Sequence, residues 1–199
     1  MIATIISWLA VVLLLVVSSG LLLSRDWRWD IGFLSAQYVG VFWLVAQHWP
    51  PGMAAVKLVT GWMATAALGM TLNNISIHRE PDEQFWPQGR AFRLFMVGMI
   101  AVLTASATPR IEASVPGIGL PVIAGAILLV GIGLLHLATD SQIERVVIGL
   151  LTVMAGFEII YAALEGSILV AALLSVVNLG LGLVGAYLLT SSTPQEESE

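Results

Sequence analysis

The chain has 199 residues, 58% of them hydrophobic and only 11% charged, with a formal net charge of −5; a mean hydropathy of +0.92 is too apolar for a water-soluble domain. It has no cysteine, which excludes disulfides, cysteine-ligated iron–sulfur clusters, a thiolate nucleophile and a lipid-modified cysteine anchor. The class that remains is an integral membrane protein built of helices, because an open sheet leaves backbone groups unsatisfied in hydrocarbon.

The first apolar run, about Ile2 to Leu23, follows no basic leader and precedes no clear small-residue cleavage site, so it is expected to be a retained span. Arg25 to Asp30 turns the chain, with Trp27 and Trp29 suited to the membrane interface. A second span covers about Ile31 to Gln47. His48, Trp49, Pro50, Pro51 and Gly52 form a tight turn before a third span, Met53 to about Leu72. Asn73 to Arg90 is the one long polar stretch, a linker rather than a helix. The fourth span is about Ala91 to Thr108, followed by an outer loop containing Pro109, Arg110, Glu112, Pro116 and Pro121. The fifth, sixth and seventh run about Leu120 to Ala138, Ile143 to Leu164 and Ser167 to Leu189, and the last residues form a polar, acidic tail of the kind that stays disordered.

The expected fold is therefore an all-α integral membrane protein of about seven transmembrane helices. Its pattern also repeats. Gly133 to Glu165 is an apolar helix end, a polar clasp (Thr139, Asp140, Ser141, Gln142, Glu144, Arg145) and a second apolar helix, and Gly20 to Trp49 copies it more weakly. In the copy SRDWRWD plays the clasp and Gly32 stands for Gly149. This divides the chain into a first three-helix unit (1–72), a linker, fourth helix and outer loop (73–119), a second three-helix unit (120–190) and the tail (191–199). Helices 1–3 and 5–7 then point the same way, related by a rotation about the membrane normal. Arg25, Arg28, Arg79, Arg90, Arg93 and Arg145 fall on one side against Arg110 on the other, which sets the N-terminus outside and the C-terminus in the cytoplasm.

Three intramembrane polar residues are the candidate ion-path positions: Lys57, Glu158 and Asn178. Charges in hydrocarbon cost at least about 2.5–3.5 kcal/mol each on insertion scales, so Lys57 and Glu158 need partners or water. Lys57, close to the Pro-Pro-Gly turn, can also snorkel to the interface on its flexible stem, and that reading is slightly favoured. Glu158 lies too deep to do so, which favours a functional role or a buried pair. Lys57 and Glu158 fall in the same third of the membrane, and pairing across the two units is the expected state. Asn178, among Gly180, Gly182 and Gly185, reads first as a helix-packing amide. Gln37, Tyr38, Ser18, Ser19, Thr60 and Thr152 either line a wet path or bond across helices. His48, His78 and His136 offer no pair of haem ligands. No catalytic, cofactor-binding or metal-binding residues are assigned, and the chain is not expected to catalyse a reaction alone.

Gly133, Leu134 and Leu135, the clasp ending in Ile143 and Arg145, and then Ile148, Gly149 and Leu150 resemble the first loop and second helix of the small three-helix subunit of respiratory complex I, chain 4L. The C-type subunit of multisubunit cation/proton antiporters is similar. In length, seven-helix plan, duplicated half and third-helix lysine (Lys57) the chain most resembles the E component of hydrogenase-4-type complexes. At two places where the complex I subunit carries carboxylates this chain has Leu151 and, in the last helix, Asn178. The resemblance implies a non-redox membrane-arm subunit, structural and contributing to a proton or cation path, in a complex that can include an oxidoreductase. Its implied partners are antiporter-like and other membrane subunits and the lipid bilayer, with no nucleic acid and no cofactor of its own. The alternative is an autonomous small transporter or channel.

Overall fold

The computed structural model describes residues 2–24, 26–75 and 89–192. Most of the expected polar linker and all but the first two residues of the expected tail lie outside these residues. Within them every regular element is a helix: α1 (Ile2–Leu23), α2 (Trp27–Val45), α3 (Pro51–Ile75), α4 (Arg90–Ser114), α5 (Leu120–Thr139), α6 (Ile143–Leu164) and α7 (Ile168–Ser191). Six are long and apolar enough to cross a bilayer, the architecture of a multi-pass membrane protein. The exception is α2, whose apolar character is diluted by Arg28, Asp30 and Gln37. It nevertheless traverses the bundle from end to end, packed against α1, α3, α5 and α6. Asp30 and Gln37 thus meet protein where a lipid-facing helix would meet hydrocarbon, while Arg28 is exposed in the first turn.

Several boundaries differ from the sequence expectation for local reasons. The turn before α2 is shorter, because the Asp26 carboxylate accepts the Arg28 N–H at 3.0 Å and starts the helix at Trp27. Pro51 opens α3, where its missing N–H costs nothing. The largest correction is α4, which continues through Pro109 to Ser114, so that Pro109, Arg110 and Glu112 are helical. A proline inside a membrane helix is tolerated where local adjustment satisfies the freed carbonyl. The turn that follows is instead made by Gly117 and Gly119, both at positive φ, with the Glu112 carboxylate accepting the Gly119 N–H at 3.2 Å.

Two ends of the bundle are fixed by long-range hydrogen bonds. At one, Arg145 at the start of α6 donates to the carbonyls of Leu21 (3.0 Å) and Ser24 (2.5 Å), and Arg93 at the start of α4 donates to that of Leu22 (2.9 Å). At the other, the Trp49 indole donates to the Glu165 carbonyl at 3.0 Å. We call these the Arg145 end and the Pro116 end. Since α2 and α6 each start at the first and finish at the second, they run parallel.

Helices four apart in the chain stack on one another: α1 on α5, α2 on α6, α3 on α7, with α4 covering the edge formed by α1 and α5. The contacts are also in register. Partners in α2 and α6 or their ends are 115 or 116 residues apart, close to the spacing of Gly32 and Gly149. These two glycines differ in use, however. Gly149 lies against Leu137 and the Gly133 carbonyl, whereas Gly32 has nothing within 4 Å among the described residues.

Small residues let the helices approach. A Cβ on Gly156 would lie 2.8 Å from the Ala126 carbonyl oxygen, and one on Gly182 would lie 2.7 Å from Cβ and 2.8 Å from Cα of Ala64. Because the second contact is with backbone, it cannot relax cheaply. Gly182→Ala should lower stability by about 1–3 kcal/mol, whereas Gly180→Ala, with open space around it, should be neutral. Thermal unfolding in detergent measures both; equal behaviour of the two variants would contradict the α3–α7 packing.

Candidate functional site: a polar axis through the bundle

The inward face of α3 carries Ala54, Lys57, Gly61, Ala64 and Leu68 at helical spacing. This stripe is what turns Lys57 into the protein. Its Nζ lies 2.7 Å from Oε1 of Glu158 on α6, and each residue is only 1% exposed. Snorkelling, the favoured reading for Lys57, is therefore corrected: α2 and α7 flank α3 on the side that bears the lysine, and the carboxylate takes the place of interfacial water. About 9 Å of helix at 1.5 Å per residue separates Lys57 from Pro51, and as much separates Glu158 from Leu164. Both charges sit at one depth toward the Pro116 end. There the weak screening that makes an isolated charge costly also strengthens their mutual attraction.

Nearer the middle, the Tyr38 hydroxyl of α2 donates to Oδ1 of Asn178 on α7 at 3.2 Å. Gly61 makes this possible, since a Cβ there would collide with the Tyr38 ring. Asn178 is fully buried, and its hydrogen bond goes to a tyrosine of α2. At the preceding position of α2, Ser18 Oγ donates to Gln37 Oε1, and Gln37 Nε2 donates to Thr152 Oγ1, both at 3.4 Å. Among the described residues, Ser19 and Thr60 bond carbonyls of their own helices.

At the Arg145 end the axis closes in a charged clasp. Besides its two carbonyl bonds, Arg145 lies 3.4 Å from Asp30 Oδ2 and 3.8 Å from Asp140 Oδ2. Arg145 and Asp30 are 7% and 3% exposed, so the pair belongs to the interior. Sequence reading found the polar clasp of the second unit but missed that its arginine reaches the end of α1 and the acid of the first unit's clasp. The available signal was the matched position of SRDWRWD, which puts an acid at Asp30 opposite the later arginine.

Four buried polar atoms along this axis have no hydrogen-bond partner among the described residues: Glu158 Oε2, Asn178 Nδ2, Asp30 Oδ1 and the Tyr161 hydroxyl. Glu158 thus pairs through one oxygen, while the other is buried without a hydrogen-bond partner among the described residues. His48 follows α2 at the Pro116 end and His136 lies in the last turn of α5, at the other end of the bundle; His78 is outside the described residues. Among the described residues no group of three or more His, Asp or Glu converges on a metal position. No family model, curated protein or solved structure matches the chain.

Removing one member of a buried pair leaves a lone charge and typically costs about 3–5 kcal/mol, whereas replacing both costs much less. Lys57→Met and Glu158→Gln should each lower the unfolding midpoint in detergent, and the double variant should regain part of the loss. Additive losses in the double variant would mean that the two side chains do not interact.

Proposed function

We propose that the chain is a non-redox membrane-arm subunit of a multisubunit assembly of the complex I-like, membrane-bound hydrogenase-like or cation/proton antiporter type. In this reading it packs the arm and contributes a proton- or cation-conducting element. The observation that carries it is the buried Lys57–Glu158 pair on an axis of hydroxyl, amide and carboxylate groups. Maintaining a desolvated acid and base costs stability, and ionisable residues within membrane helices mark ion pathways by default. Glu158 is the proton-exchanging group, Lys57 the charge that sets its ionisation, and Asn178 with Tyr38 the neutral continuation toward the middle.

The parallel duplication belongs to the same proposal. In-register stacking of α1 on α5, α2 on α6 and α3 on α7 supports two three-helix units of one ancestry. A half-turn between facing rows would set α1 against α7, and those helices share no extensive contact among the described residues. The relation we favour is therefore a sideways shift with a small rotation. The arginine-rich end faces the cytoplasm of a prokaryotic plasma membrane, with the C-terminus inside.

Isolation of the chain from its native membrane in mild detergent should bring antiporter-like membrane subunits with it. In the same cells a cysteine placed at Ser192 should be shielded from an impermeant reagent applied outside. Vesicles carrying the Lys57→Met/Glu158→Gln double variant should assemble the complex yet lose ion movement. Recovery of the chain alone as an active transporter would favour the autonomous alternative, and ion movement undiminished in the double variant would end the conducting role.

A further inference from the structure

Away from the polar axis, α1, α4 and α5 leave a wedge of about 300 Å³ between them. Its origin lies in the sequence of α4. At the Arg145 end, Arg93 draws α4 onto the end of α1 through the Leu22 carbonyl. Toward the Pro116 end the residues α4 turns to the wedge are small, Thr104 and Ala105 among them, and cannot fill the space opposite Trp8, Val12 and Leu15 of α1. Thr104 is 5% exposed, and its hydroxyl has no partner among the described residues. The mouth opens sideways: Trp8 is 43% and Val12 54% exposed, within the belt where α1 meets the bilayer.

We propose that this wedge is a lipid site, occupied by one acyl chain of a phospholipid from the leaflet on the Pro116 side. An empty notch of this size forfeits the dispersion contacts of every atom that lines it. Water is a poor occupant, because a stable buried water needs two to four polar partners and the walls are almost wholly apolar. A helix of a neighbouring protein is about 10–12 Å across with its side chains and does not enter a wedge that narrows between two helices. A flexible hydrocarbon chain satisfies the shape, the chemistry and the route of entry. It would also brace α4, which buries only Val97, Thr104 and Thr108 in the bundle.

The full chain in phospholipid vesicles carrying a photoreactive group within an acyl chain tests this. After illumination, adducts mapped by mass spectrometry should concentrate on the wedge faces of α1 and α4. They should be lost in Ala105→Trp, which fills the notch, while adducts near the exposed Val176 of α7 persist. Ala101→Leu, a milder filling, should lower the wedge adducts without removing them and covers the case in which the tryptophan variant does not fold. Retention of one phospholipid by the wild-type protein through delipidation, and its loss in the filled variants, is the accompanying expectation. Uniform labelling around the belt, wedge adducts unchanged by filling, or cross-links from the wedge to another protein segment would overturn the assignment.

Discussion

The bundle depends on putting a lysine and a glutamate into its interior and making them meet. Neither charge tolerates hydrocarbon alone, and the pair holds only while α3 and α6 keep the separation that gives a 2.7 Å contact. That separation is not set by the pair itself. It comes from α2, which lies against both helices, and from α7, which holds the other side of α3. Gly61 admits the Tyr38 ring between them, and Gly182 lets α7 close on Ala64. An ion pair at one depth therefore depends on a glycine of α3 itself and on one of α7.

Helix association in lipid gains little from hydrophobic burial, since the alternative to a neighbour is an equally apolar tail. What remains is close packing and hydrogen bonding, and the structure uses each in a different place. Between α5 and α6, and between α3 and α7, glycines bring backbones together. Between the two three-helix rows the polar groups act: Gln37 with Thr152, Tyr38 with Asn178, Lys57 with Glu158, and Arg145 with Asp30. Each of these pairs joins one row to the other. Because α2 supplies three of the eight residues, its lower apolar character follows from its central position.

The helices were readable from apolar run lengths because bilayer thickness is an external ruler. Their ends were less so. Proline at position 109 reads locally as a stop, yet α4 passes through it, since local cost is outweighed where the helix has further to run. The three candidate residues, Lys57, Glu158 and Asn178, were legible as anomalies, polar groups in apolar surroundings. Which way Lys57 faced stood between two readings, the interface and the pair with Glu158, and the structure has the pair. A lysine near a helix end has two stable solutions, and the choice of the inward one rests on α7 and α2, which the local sequence of α3 does not mention. Tyr38 and Asp30 were harder still. An acid near a helix start is ordinary at an interface and a tyrosine within a helix can face lipid, and only their partners more than a hundred residues later make them interior.

Infrared difference spectroscopy on isotope-labelled protein in lipid, comparing the wild type with Glu158→Gln, tests the charge pair directly. The account predicts ionised-carboxylate bands from Glu158 at neutral pH that disappear in the variant and shift to the protonated carbonyl band when Lys57 is replaced by Met. A protonated Glu158 in the wild type, or a spectrum indifferent to Lys57, would contradict it.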